Sequence, residues 1–350
     1  MRLKLIVISL LLLCLSGGGC ASAQNFDHQL GAIIKPYRFS IVKWESKTIT
    51  HDARLWLWGK HGENEVERII ARQIKETLAQ EGIFNPTDNY IRLKVSFPPL
   101  YFKLEEPPHL LVISPRDRIE SIREITLQPN LSLEEAESIE ARVDKLGVSS
   151  LVVELGGLGA TYPTFVANNA GLRLTIDAAT EEWLHQYLAF TPLGFLYLLD
   201  LTGISRNYEI AIINETVASM VSKEIGAMVT ERYYPDYENS KEETESEFDF
   251  NREMREIRRA VDNYLAQGEV TKAEEFMEQK RQYLASMGYP IRKLNQAYFA
   301  FHGTYADSPT SISPIGVELE KLREQSASLK NFLDTVATMT SRQELAESVK

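Results

Sequence analysis

The order of patterns between Val148 and Tyr234 constrains this chain most. Two β-branched, apolar runs, "SSLVVELG" and "GLRLTID", flank a Gly-, Pro- and Asn-rich connection and read as strands. The second leads directly into "AATEEWLHQYLAF", which reads as a helix. A connection, "PLGFLYLLDLTGIS", then leads to a long second helix, "NYEIAIINETVASMVSKEIGAMVTERYY". A small sheet delivering the chain into a helix pair gives an α+β fold.

The flanking sequence adds helices more than strands. "ENEVERIIARQIKETLAQEGIF" is amphipathic and ends at Gly82, and "SLEEAESIEARVDKLG" opens on a Ser-x-x-Glu capping pattern and ends at a glycine. Strands are expected at "YIRLKVSF" and "HLLVIS", with Pro-rich "PPLYFKLEEPP" as a loop between them. Acidic "DYENSKEETESEFD" has the composition of a solvated linker. Residues 251–287 read as a helical hairpin turning near Gly268, and one polar helix is expected from about Val317 onward.

The N-terminus carries the pattern of an export signal: Arg2 and Lys4, an apolar run from Leu5 to Leu15, then small residues with Ala21-Ser22-Ala23 in the A-x-A arrangement. "SGGGC" offers a second cleavage point, before Cys20, where a lipid anchor would be attached; that anchor is the only membrane link expected. Both cysteines, Cys14 and Cys20, fall in this segment, so the exported body must be stable without disulfides. Losing Arg2 and Lys4 takes the formal charge from −11 to −13, which disfavours nucleic acid as a partner.

The chemistry lies on the helix pair. Residues i and i+4 of a helix share a face, so Glu181 and His185 can point at one ion, with Glu182 one position off that face as a base for a water molecule. Glu215, thirty residues on, adds a third donor from the second helix. Glycine-rich "LGGLGAT" lacks the order of a phosphate or dinucleotide loop and reads as a rim beside the cleft. No cysteine nucleophile or Ser-His-Asp order is present.

On these residues the segment from about Val152 to Gly226 resembles the gluzincin metallopeptidases, and in particular exported aminopeptidase-like proteins of bacteria. Glu181 replaces the first histidine of H-E-x-x-H. The resemblance extends to "LNQAYFAFHGTYAD", an Asn-x-Ala segment followed by a tyrosine. It implies a zincin-like domain over 24–237, with a signal at 1–23, an acidic linker at 238–250 and a helical region at 251–350. It further implies metal held by Glu181, His185 and Glu215, Glu182 as general base, and Tyr305 or His302 as donors to an oxyanion on a peptide substrate.

The departure at 181 matters. Two carboxylates and a neutral imidazole cancel a dication's charge, which makes Zn²⁺ there a weaker Lewis acid or favours an oxygen-preferring metal such as Mn²⁺. Two functions follow: a metal-dependent peptidase, or an inactive scaffold that binds a peptide or envelope protein in the same cleft. Ser219 and Glu224 read as solvated helix positions or as neighbours of the ligands, and the other histidines have no ligand spacing.

Overall fold

The structure, a computed structural model, describes residues 21–39, 64–86, 96–159, 161–238 and 248–350. Cys20 and the apolar run before it, most of the "YIRLKVSF" strand and the centre of the acidic linker lie outside these residues. No helix among the described residues is long and apolar enough to cross a membrane.

The chain is α+β. In order the elements are α1 (Ala21–Ile34), α2 (Glu65–Gln80), β1 (Phe102–Glu105), β2 (His109–Pro115), β3 (Arg123–Leu127), α3 (Leu133–Asp144), β4 (Val148–Glu154), β5 (Gly157–Leu158) and β6 (Thr164–Ala167). There follow α4 (Leu172–Leu188), α5 (Pro192–Leu201), α6 (Tyr208–Tyr233), α7 (Pro235–Glu238), α8 (Phe250–Ala266), α9 (Val270–Ser286), α10 (Gln296–His302), α11 (Pro314–Gln325), α12 (Leu329–Ala337) and α13 (Arg342–Ser348). Among the described residues two three-stranded sheets form, ordered β3-β2-β4 and β1-β6-β5. The first is antiparallel; in the second β1 runs parallel to β6 and β5 antiparallel to it.

Local chemistry explains most boundaries. Ser132 and Glu135 close the expected capping box on α3, and the turn between α8 and α9 falls at Gly268, whose φ of 75° suits glycine. "GLRLTID", expected as a strand, is instead the first turns of α4. Its buried residues, Thr175, Ile176, Ala179, Thr180, Trp183, Leu184, Tyr187 and Leu188, recur at helical spacing, and that period outweighs the β-branched composition. "PLGFLYLLDL", expected as a connection, is α5, started by the Thr191 side chain and by Pro192 at the first helical position. The Pro-rich loop contains β1, β3 and β6 join the sheets unforeseen, and the single polar helix after Val317 is three, because Ser328 and Ser341 each cap a new start.

The largest core packs α4 against α6, with α2, α5 and the C-terminal helices α11 to α13 around them. Ile176, Leu184, Ile213 and Val217 have no solvent exposure, and burying side chains of this kind stabilises by about 1.5–3 kcal/mol each. Gly226 lets α4 and α6 approach: a Cβ there would lie 1.8 Å from Asp177 Oδ1. Helices α8 and α9 bury a cluster of their own with Leu294 and Phe299, and α10 lies on the β2–β4 sheet. The β1-β6-β5 sheet packs on α4, which places the short edge strand β5 beside the acidic stretch of that helix.

Candidate metal centre

Helical spacing and the α4–α6 contact together gather the expected donors. One ligand atom from each of Glu181, His185 and Glu215 lies within 4.8 Å of the others. His185 Nε2 is 3.6 Å from Glu215 Oε2, with the two side chains 16% and 13% exposed. That separation is too long for a hydrogen bond and leaves room for an ion at the usual 2.0–2.2 Å from nitrogen and oxygen donors.

The orientations of His185 and Glu215 are set from behind. His185 Nδ1–H donates to Asn214 Oδ1 at 3.0 Å, which leaves the Nε2 lone pair directed at Glu215. Asn214 is fully buried, and its Nδ2 has no hydrogen-bond partner among the described residues. Glu215 accepts a short hydrogen bond from the Tyr197 hydroxyl through Oε1, and the Tyr197 ring stacks on His185 with centroids 5.8 Å apart and planes at 26°. Tyr197 went unseen in the sequence because α5 was taken for a connection; its signal was the Thr-Pro start followed by an apolar run.

Glu182 faces β5. Gly159 N–H donates to its carboxylate, and added Cβ atoms at Gly157 and Gly159 would come within 2.4 and 2.7 Å of its oxygens. The glycine-rich stretch is therefore the rim of the site, and its glycines make space for this carboxylate. Burial, with the charges of neighbouring carboxylates, pushes Glu182 up to about 8 and Glu181 up to about 7. For His185 burial acts downward, but the charges of Glu215, Glu182 and Glu181 outweigh it and raise the imidazole. A partly buried set of three carboxylates around one imidazole calls for a cation or for protons.

Tyr305 joins the site through the backbone beside it. Thr216 Oγ1 donates to Thr304 O at 3.2 Å and accepts from Ala306 N–H at 2.9 Å, so α6 pins the residues on both sides of Tyr305. Burial first, then the charges of Glu215, Glu181 and Glu182, hold its hydroxyl well above the ordinary tyrosine value, so it stays protonated. His302 lies elsewhere: it is exposed, its ring sits 4.2 Å from that of Tyr298, and it lines a pocket of about 250 Å³ with Tyr208, Arg258 and Ser313. None of the three donors lines that pocket.

The two positions left open on α6 have structural partners. Glu224 takes both arms of Arg323, at 3.0 and 2.6 Å, and so ties α6 to α11. Ser219 Oγ donates to Asp307 Oδ2 at 2.8 Å, alongside the Lys223 ammonium. Asp307, not singled out in the sequence, is 7% exposed and its other oxygen has no hydrogen-bond partner among the described residues. No family model matches this chain, and no curated protein or solved structure matches it either.

Proposed function

We propose that the protein is an exported, metal-dependent hydrolase of peptides, with a zincin-like arrangement of helices α4 and α6 around the ion. The observation that carries this reading is the convergence of Glu181, His185 and Glu215, with Asn214 behind His185 leaving Nε2 free to ligate. The residues fit a small dication: one imidazole and two carboxylates, partly buried, with a gap between them. Zinc suits the imidazole and four-fold coordination; manganese suits the carboxylates, and the doubled carboxylate count makes it the natural competitor.

A divalent ion held there supplies Lewis acidity, polarising a carbonyl and easing the ionisation of water. The chain provides the rest. Glu182, fixed by Gly159 N–H and directed along the rim, is the group that accepts a proton from water; a carboxyl whose metal-free value stands near 8 exchanges protons close to neutrality. Tyr305, protonated and flanked by α6, is the donor for negative charge developing on a substrate oxygen. His302 has no part in this reading, since it faces another pocket.

The second reading, an inactive descendant that binds peptides, draws on Glu181 alone, since two carboxylates cancel the charge that a Lewis acid needs. The two readings part on metal content. Protein purified without chelator should carry about one equivalent of zinc or manganese by mass spectrometry, lost in His185→Ala and Glu215→Ala while both variants stay folded. Metal-free wild type, with both variants unchanged in stability, refutes the metal site and leaves peptide binding.

A further inference from the structure

The two carboxylate oxygens of Glu215 have different surroundings. Oε1 accepts the Tyr197 hydroxyl, and Oε2 is the oxygen that stands 3.6 Å from His185 Nε2. Tyr197 is itself firmly held. Its ring lies on the His185 imidazole at 26°, and α5 is fastened to the end of α4, since Gly194 packs so closely that a Cβ there would sit 2.0 Å from Leu188 O. Thr191 completes that junction: its hydroxyl donates to Leu188 O at 2.7 Å and accepts from Gly194 N–H at 3.4 Å. The phenol is thus a fixed object against which Glu215 is set.

We propose that Tyr197 is a positioning residue that commits Glu215 to ligation through Oε2 alone and so keeps the centre small and of low coordination number. This rests on the metal-site reading above. A carboxylate with both oxygens free readily grips larger, oxygen-preferring cations with the pair, as calcium sites do. One whose second oxygen is engaged by a fixed donor offers a single oxygen, as a four-coordinate zinc centre requires. Beside Glu181, which already raises the oxygen count, that restraint preserves an open position for substrate. Tyr197 therefore acts through Glu215, and its effect falls on which cation is selected and how many ligands it takes.

The test uses the full chain, with Co²⁺, Zn²⁺ and Mn²⁺ as probes and Tyr197→Phe as the variant, which removes one oxygen and keeps the ring stack. Cobalt in four-fold coordination absorbs strongly in the visible, and five- or six-fold coordination weakens the band. The expected result for Y197F, with an unchanged circular dichroism spectrum, is a weakened cobalt band. Zinc affinity should fall about 10- to 100-fold, and manganese should lose less than zinc. Identical spectra and affinities in Y197F and wild type overturn the assignment of Tyr197 while leaving the metal site standing. Failure of wild type itself to take up cobalt, zinc or manganese, with His185→Ala no different, overturns the metal site and this assignment together.

Discussion

Gly157→Ala tests whether the rim glycines exist to seat Glu182. The added Cβ would lie 2.4 Å from Glu182 Oε1, 2.6 Å from its Cγ and 2.9 Å from its Cδ. Carbon atoms in contact prefer about 3.5 Å or more, so the side chain must retreat by about 1 Å. Retreat also pulls the carboxylate away from Gly159, whose N–H donates to it. Overpacking of this kind costs about 1–3 kcal/mol, and losing the hydrogen bond adds about 1 kcal/mol, so a net destabilisation of about 2–4 kcal/mol is expected. A double-mutant cycle with Glu182→Ala isolates the contact, because the alanine at 157 has nothing to displace once Glu182 is gone. Measured by urea unfolding of metal-free protein near pH 6, the coupling should exceed about 1 kcal/mol; a value within about 0.3 kcal/mol of zero refutes the reasoning. In the metal-loaded protein Gly157→Ala should leave the ion bound, because Glu182 is not a ligand. Peptide hydrolysis should fall about 100-fold, since the base is displaced by about 1 Å.

Two further outcomes follow from buried charge. With chelator present, stability should decline as pH rises from about 5 to about 8, because Glu181 and Glu182, raised to about 7 and about 8 from an ordinary 4.5, bind more protons folded than unfolded across that window. The raised His185 acts in the same direction, as its imidazolium is lost with rising pH, and stoichiometric zinc should flatten the decline in melting temperature measured from pH 5.5 to 8.5. Glu140→Ala should lower the unfolding free energy by about 2–4 kcal/mol in urea, because this buried carboxylate accepts from Val152 N–H at 2.7 Å on the free edge of β4 and from both arms of Arg292 at 2.9 and 2.7 Å. An unchanged midpoint would mean that the β4 edge does not depend on it.

The parts of the site legible in the sequence were those fixed by one helix or by local punctuation. Glu181 and His185 share a face by helical arithmetic, and the α3 capping box and the turns at Gly82 and Gly268 are written in adjacent residues. Glu215 was found by its distance along the chain, and the α4–α6 packing brings it to His185. What escaped depended on contacts between distant segments. The first turns of α4 look β-branched when read alone, and only the full eight-residue buried stripe reveals the helix. Tyr197 was hidden by the reading of α5 as a connection, and Asp307 by its dependence on Ser219 and Lys223 across 88 and 84 residues. His302 and Tyr305 were equivalent in sequence, and it is Thr216, gripping both neighbours of Tyr305, that separates them.

The three C-terminal helices share a core with α2, α4 and α6, and burial reaches Leu345 and Val349. In a chain made from the N-terminus, the core shared by Ile70, Ile213 and Val217 is completed only after Leu319, Phe332 and Leu345 have left the ribosome. Until then the helix pair that carries Glu181, His185 and Glu215 has an uncovered apolar flank. That makes the residues from Pro314 onward the latch on the whole site: loss of α13 should unseat α6 before it touches any ligand.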